Sequence, residues 1–171
     1  MATPDDVSQL QLDLDKLGRW SDCWLMPFNV GKCKIMHFGH NNSNADYFLQ
    51  GIKLQVVTDE KDLGIIIQNN LKCDKQCAKA VNTATRVLGM IKRTFVHLDK
   101  VVFIALYKSL VRPHLEYCVQ AWCPHYCKDI DLLERVQRRA TKMVTALSNC
   151  SYEDRLKILG LTTLATRRIR G

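Results

Sequence analysis

Asp129-Ile130-Asp131-Leu132-Leu133-Glu134-Arg135-Val136-Gln137-Arg138-Arg139-Ala140-Thr141-Lys142-Met143-Val144-Thr145-Ala146-Leu147 is the stretch on which the fold turns. Leu132, Val136, Ala140, Met143, Val144 and Leu147 recur at the spacing of one face of an α-helix. Arg135, Arg138, Arg139 and Lys142 fall between them. At about 100° per residue these four cluster within roughly a third of the circumference, facing away from the apolar stripe. Such a helix buries its apolar side against neighbours and turns a basic side outward, where it suits a polyanion.

On the N-terminal side of that helix, Cys77, Val81, Ala84, Leu88 and Ile91 form the stripe of a second long helix, with Lys75, Lys79, Arg86 and Arg93 off it. Val101 to Val111 reads as a further helix, with Val102, Ala105, Leu106 and Leu110 inward, and Arg112-Pro113 is expected to interrupt it. Leu115 to Trp122 continues as a short helix. On the C-terminal side, Tyr152 to Leu159 and Leu164 to Arg170 read as short helices joined at Gly160.

The first part of the chain has a different character. Asp5 to Trp24 is an amphipathic helix carrying Val7, Leu10, Leu14, Leu17 and Trp20, with Thr3 or Asp5 as cap and Pro27 beyond its end. Cys33 to Phe38 alternates apolar with polar and predicts a strand. Residues 39–45, with three Asn, predict a loop. Tyr47-Phe48-Leu49 and Leu54 to Val57 predict a hairpin around Gly51. Asp59-Glu60-Lys61-Asp62 reads as a solvated charged turn, and Leu63 to Ile67 as a buried strand. The expected fold class is α+β: an amphipathic helix and a small antiparallel sheet of three to four strands in residues 1–70, then an all-helical basic module in 71–171.

Charge follows the same division. The chain of 171 residues carries a formal net charge of +8, yet residues 1–70 hold six Lys and Arg against nine Asp and Glu, a balance of −3, and residues 71–171 hold nineteen against eight, a balance of +11. One part therefore suits a polyanion and the other does not. The hydrophobic fraction of 47% is enough for a core and excludes a disordered chain. No apolar run is long enough to cross a bilayer, so no membrane partner is expected. Met1 to Leu10 is polar and acidic, so the chain is expected to be intracellular, nuclear or cytoplasmic, and not secreted.

The residues with catalytic potential form no recognisable centre. Asp5-Asp6 could serve a two-metal site only on a rigid turn between strands. Standing at a helix start, the pair instead meets the helix dipole. No phosphate-binding glycine loop and no G-x-S-x-G occur. His37, His40, His97, His114 and His125 have no evident carboxylate or nucleophile partner. Eight cysteines include no C-x-x-C pair. Those near His114 and His125 (Cys118, Cys123 and Cys127) lie on segments that read largely as helical, whereas zinc asks for ligands converging from tight turns. Reduced thiols and no bound metal are expected.

Several phrases, weak singly, are specific in order: Leu14-Asp15-Lys16-Leu17-Gly18-Arg19-Trp20, Met26-Pro27-Phe28-Asn29, Lys32-Cys33-Lys34, His37-Phe38-Gly39, Lys61-Asp62-Leu63-Gly64, Leu106 to Tyr117, Trp122, Leu133 to Lys142, Tyr152 to Leu156 and Arg167 to Gly171. Together they resemble the reverse transcriptase of non-LTR (LINE-type, jockey- and CR1-like) retrotransposons over nearly the whole chain. The resemblance implies an RNA-directed DNA polymerase with fingers, palm and thumb, of which this chain corresponds to the end of the palm, the thumb and the start of the region after the thumb. The family's Tyr/Phe-Ala-Asp-Asp turn lies upstream of the matching segment, and Asp5-Asp6 does not correspond to it. The resemblance thus implies no catalytic residue in this chain, no cofactor of its own (Mg²⁺ belongs to the intact polymerase), and, for any activity, a partner chain supplying the missing palm.

The same resemblance places Asn29, Lys32 and Lys34 near the incoming nucleotide and Leu63-Gly64 at the strand turn that supports the primer end. It puts Arg135, Arg138, Arg139 and Lys142 in or just beyond the thumb, along the backbone of a primer–template duplex; Lys79, Arg86 and Arg93 are basic candidates for the same contact. The implied partner is RNA or DNA, held without sequence preference. Tyr117 and Trp122 are expected in the core. A strand set without its upstream neighbours would leave an open edge and uncovered apolar surface at Ile35, Ile65 and Ile67. The alternative is a helical protein-interaction module or a small zinc-binding protein.

Overall fold

A computed structural model of the chain describes residues 4–39 and 41–170. Thr3 and His40 lie outside the described residues, as does the final Gly171. The chain divides into two compact units, one ending at Leu71 and the other beginning at Lys72. Both helices and strands are present, so the class is α+β. Among the described residues no helix is long and apolar enough to cross a membrane.

In the first unit, α1 spans Pro4–Cys23, with Asp5 and Asp6 in its first turn. Its inward face differs from the apolar spacing. Val7 and Leu14 pack on the small core of Tyr47, Leu49 and Leu54, while Gly18 and Ser21 are buried further along the same side. Leu10, Leu17 and Trp20 are 42–47% exposed. Gln11 explains the choice of face. Its side-chain amide accepts from Phe48 N–H at 2.9 Å and donates to Phe48 C=O at 3.0 Å. It thereby pairs with a strand edge as a backbone group would.

The strands do not form one antiparallel sheet. They make three separate two-stranded ladders. β1 (Lys34–Ile35) pairs in parallel with β4 (Gln55–Val56). β2 (Phe48–Leu49) pairs antiparallel with β3 (Ile52–Lys53). β5 (Asp59–Asp62) pairs antiparallel with β6 (Ile65–Gln68). The expected strand over Cys33–Phe38 is thus reduced to two residues, and the hairpin closes between Leu49 and Ile52, earlier than expected. Asp59–Asp62 is a strand, and the turn falls on Leu63-Gly64. Both hairpins have two-residue loops with φ positive at both positions: Gln50 +50° and Gly51 +75°, then Leu63 +45° and Gly64 +90°. This backbone matches the right-handed twist of the flanking strands. Apolar exposure also falls elsewhere than expected: Ile65 is buried, Ile35 is half-buried, Ile67 is 40% exposed, and Trp24, Leu25 and Met26 after α1 are 60–88% exposed.

The second unit is helical. α2 (Asp74–Thr94) buries Cys77, Ala84, Leu88 and Ile91. Asp99 caps α3 (Lys100–Leu106) by accepting from Val102 N–H at 2.8 Å. Arg112-Pro113 does not break the helix there. The five residues Tyr107–Val111 widen into a π-type turn, in which Arg112 N–H reaches back to Tyr107 C=O, and the chain runs on into α4 (Arg112–Glu116). The bulge shifts the hydrogen-bond register just before the residue that has no N–H to give. The expected helix over Leu115–Trp122 ends instead at Glu116. Tyr117 is 57% exposed rather than in the core, and its carbonyl accepts from Trp122 Nε1 at 2.7 Å, with Trp122 itself buried.

α5 spans Cys127–Thr141, and it packs, like α4, against α2. Leu133, more than Leu132, points inward, with Val136, Ala140 and Val144. α6 (Tyr152–Leu159) is capped by Ser151, whose hydroxyl accepts from Asp154 N–H at 3.2 Å. Gly160, at φ +63°, ends α6, and Leu161 N–H folds back to Leu156 C=O at 2.9 Å. α7 (Leu164–Arg170) comes next and packs on α5.

Candidate nucleic-acid interface

α5 packs against α2, and the seam between them opens into a groove of about 330 Å³. Its floor is Thr85, Leu88 and Gly89 of α2 with Met143 beyond the end of α5; its cations are Lys92, Arg139 and Lys142. A Cβ built on Gly89 would meet nothing within 4 Å. The missing side chain is thus part of what keeps the groove open.

The four basic residues expected to act together separate here. Arg139 and Lys142 line the groove. Arg138 sits at the other margin of the basic face, its guanidinium 5.0 Å from the centre of the Tyr152 ring. Arg135 is exposed and does not line the groove. On α2, Arg86 and Arg93 are exposed and Lys79 is half-buried, and none of them lines the groove. Lys92 takes the place expected of them. It lies four residues beyond Leu88, so the rim position was readable from the apolar stripe, although which helix would lie alongside was not.

Three further arginines are engaged by groups of the chain itself. Arg155 is buried, with Nε donating to Thr141 Oγ1 at 3.0 Å and Nη1 to Cys150 C=O at 2.7 Å. Arg167 is bidentate on Glu116 at 2.5 and 3.1 Å. Arg168 donates to Leu115 C=O at 2.7 Å and lies over Trp122; burial lowers its pKa. Part of the positive balance of the helical unit is therefore met by acceptors within the chain.

The residues placed by resemblance near the nucleotide and primer lie at separate places in the first unit. Asn29 accepts from Lys32 N–H at 2.9 Å in the short turn Val30–Lys32. Lys34 begins β1, and its ammonium donates to Gln55 Oε1 on β4. Leu63-Gly64 forms the tip of the β5–β6 hairpin, where Leu63 is 85% exposed.

Cys73 Sγ donates to Cys123 C=O at 3.6 Å. Burial raises the pKa of Cys73 and pushes that of Cys77 up to about 12. Among the described residues no three His, Cys, Asp or Glu side chains converge to hold a metal ion. Compared with known proteins, the chain matches no family model, no curated protein and no solved structure.

Proposed function

We propose that the helical unit holds nucleic acid by its phosphate backbone, as the thumb side of a non-LTR reverse transcriptase would, and that residues 1–171 contribute no catalytic carboxylates to polymerisation. One observation carries this reading: Lys92 of α2 meets Arg139 and Lys142 at a single open groove. Two helices thus present cations at one place. Charges so placed follow a polyanion and read no base edges, so binding is insensitive to sequence and weakens as salt rises. The ordered resemblance and the +11 balance of residues 71–171 support it.

Titration of the purified chain with two RNA–DNA hybrids of unrelated sequence, at low and at near-physiological salt, tests the proposal. Equal affinities that fall together with salt are expected. Absence of binding at low salt, or affinity indifferent to salt, rejects it. Primer extension with Mg²⁺ or Mn²⁺ is expected to yield no product from this chain.

A further inference from the structure

A second cavity lies within the helical unit, and its chemistry differs from that of the groove. It measures about 170 Å³, and Lys108, Arg112 and Arg167 line it together with Gln137 and the turn 160–162. The three cations come from three elements: the π-type turn, α4 and α7. Glu116 binds both arginines, with Arg112 Nε at 3.6 Å and Arg167 at 2.5 and 3.1 Å. Both guanidinium groups are thereby held in place, and two of the three positive charges are left over. Glu134 stands behind Gln137, but its oxygens are taken by the Tyr152 hydroxyl, the Gln137 amide and Leu164 N–H, and it does not line the cavity.

Gln137 makes the wall rigid. Its Oε1 accepts from Tyr107 Oη at 2.6 Å, and its Nε2 donates to Thr162 C=O at 3.0 Å. A polar chamber with fixed arginines, a lysine and excess positive charge suits a small oxyanion, because guanidinium forks match its oxygens and the ammonium adds a point charge. The volume is several times the roughly 30 Å³ share of one water. It falls below the roughly 300 Å³ at which pockets for larger organic ligands begin.

We propose that this cavity is a binding site for a phosphate group, either free phosphate or the terminal phosphomonoester of a nucleic-acid strand. It is independent of the groove. Gln137 and Arg139 are two residues apart, about 200° around the helix, so the cavity and the groove lie on opposite sides of α5.

Calorimetric titration of the full chain with inorganic phosphate at low ionic strength tests the site. Saturable binding of one phosphate per chain is expected, weakened on the order of tenfold by Lys108→Gln and unchanged by Arg139→Gln. Lys108 is exposed on its helix, so Lys108→Gln is expected to keep the circular-dichroism spectrum. Lys108→Arg is expected to keep the affinity, which guards against a folding artefact. A dinucleotide with a 5′-phosphate, compared with its unphosphorylated twin, separates the two sources. A gain that disappears in Lys108→Gln assigns the strand end. Saturable phosphate binding without such a gain assigns the free anion. No saturable phosphate binding, or a well-folded Lys108→Gln chain that binds as the parent does, overturns the proposal, whatever the groove variants do with hybrids.

Discussion

Glu134 and Gln137, one turn apart on α5, both point into the helical core, and the Gln137 amide donates to Glu134 Oε1 at 3.2 Å. Around them the Tyr152 hydroxyl donates to Glu134 Oε1, Leu164 N–H to Oε2 at 3.0 Å, and Tyr107 Oη to Gln137 Oε1 at 2.6 Å. Four segments, α5, α6, the start of α7 and the π-type turn, are thus joined through two side chains. Burial raises the pKa of both tyrosines well above the usual range, so both remain protonated donors.

Gln137→Leu removes that junction and leaves the buried Tyr107 Oη without its acceptor. An unsatisfied buried group costs about 1–3 kcal/mol, so the helical unit is expected to lose about 1–3 kcal/mol in urea denaturation. Arg135→Gln, two residues away but exposed, is expected to stay within about 0.5 kcal/mol of the parent. Equal losses in the two variants would contradict the buried network.

Gly89→Leu separates folding from binding. Leucine is the better helix former by roughly 0.8–1 kcal/mol, and a Cβ at this position meets nothing within 4 Å. The melting temperature is expected to hold or rise while hybrid affinity falls at least severalfold, as the groove fills. A variant that is stable and binds unchanged hybrid would remove the groove from the interface.

Leu63→Asn bears on the hairpin tip. A leucine at φ +45° occupies the left-handed region at a cost of roughly 1–2 kcal/mol, and at 85% exposure it has little packing to lose. Asparagine tolerates that backbone. Slower hydrogen exchange across Ile65–Gln68 is the expected result; faster exchange would mean that Leu63 has a packing role in the hairpin.

Cys77 gives the helical unit an alkaline limit. The thiol is fully buried, its pKa is pushed up to about 12, and an unhindered thiol sits at 9.0. The folded state therefore keeps the proton longer than the unfolded state. Its contribution is fully present below about pH 9 and declines toward about pH 12, by about 1.4 kcal/mol per pH unit. Urea midpoints at pH 7.5 and pH 10 are expected to differ less in Cys77→Ala than in the parent. Alkylation at pH 7.5 is expected to label exposed Cys23, Cys118, Cys123 and Cys127 before Cys77; prompt labelling of Cys77 would contradict its burial.

Sequence periodicity located the long helices because each repeats one side of a cylinder over several turns. Tyr152 to Leu159 and Leu164 to Arg170 were also legible, with a glycine between them where the backbone needs φ +63°. The strand partners were not. Nothing in Lys34-Ile35 names Gln55-Val56 as its neighbour, and two-residue strands carry too little alternation to set a register. Pro113 was expected to end a helix, since its missing N–H is visible in sequence but a π-type turn that absorbs the gap is not. Reading buried as apolar hid Glu134, Gln137 and Thr141 on the inward face of α5. At the candidate interface, helical spacing grouped Arg138 with Arg139, yet 100° of rotation puts one over Tyr152 and the other in the groove. Lys92 does not stand out in the sequence, because pairing of α2 with α5 is a tertiary fact.

The salt dependence of RNA–DNA hybrid binding, measured for the parent chain and for the triple variant Lys92→Gln, Arg139→Gln, Lys142→Gln, tests the central claim most directly. Each phosphate contact contributes about 0.9 to the slope of log affinity against log salt. The triple variant is expected to keep its fold, bind more weakly to every sequence, and show a slope smaller by about two to three. A parent slope near zero, or a folded triple variant with an unchanged slope, would contradict the claim.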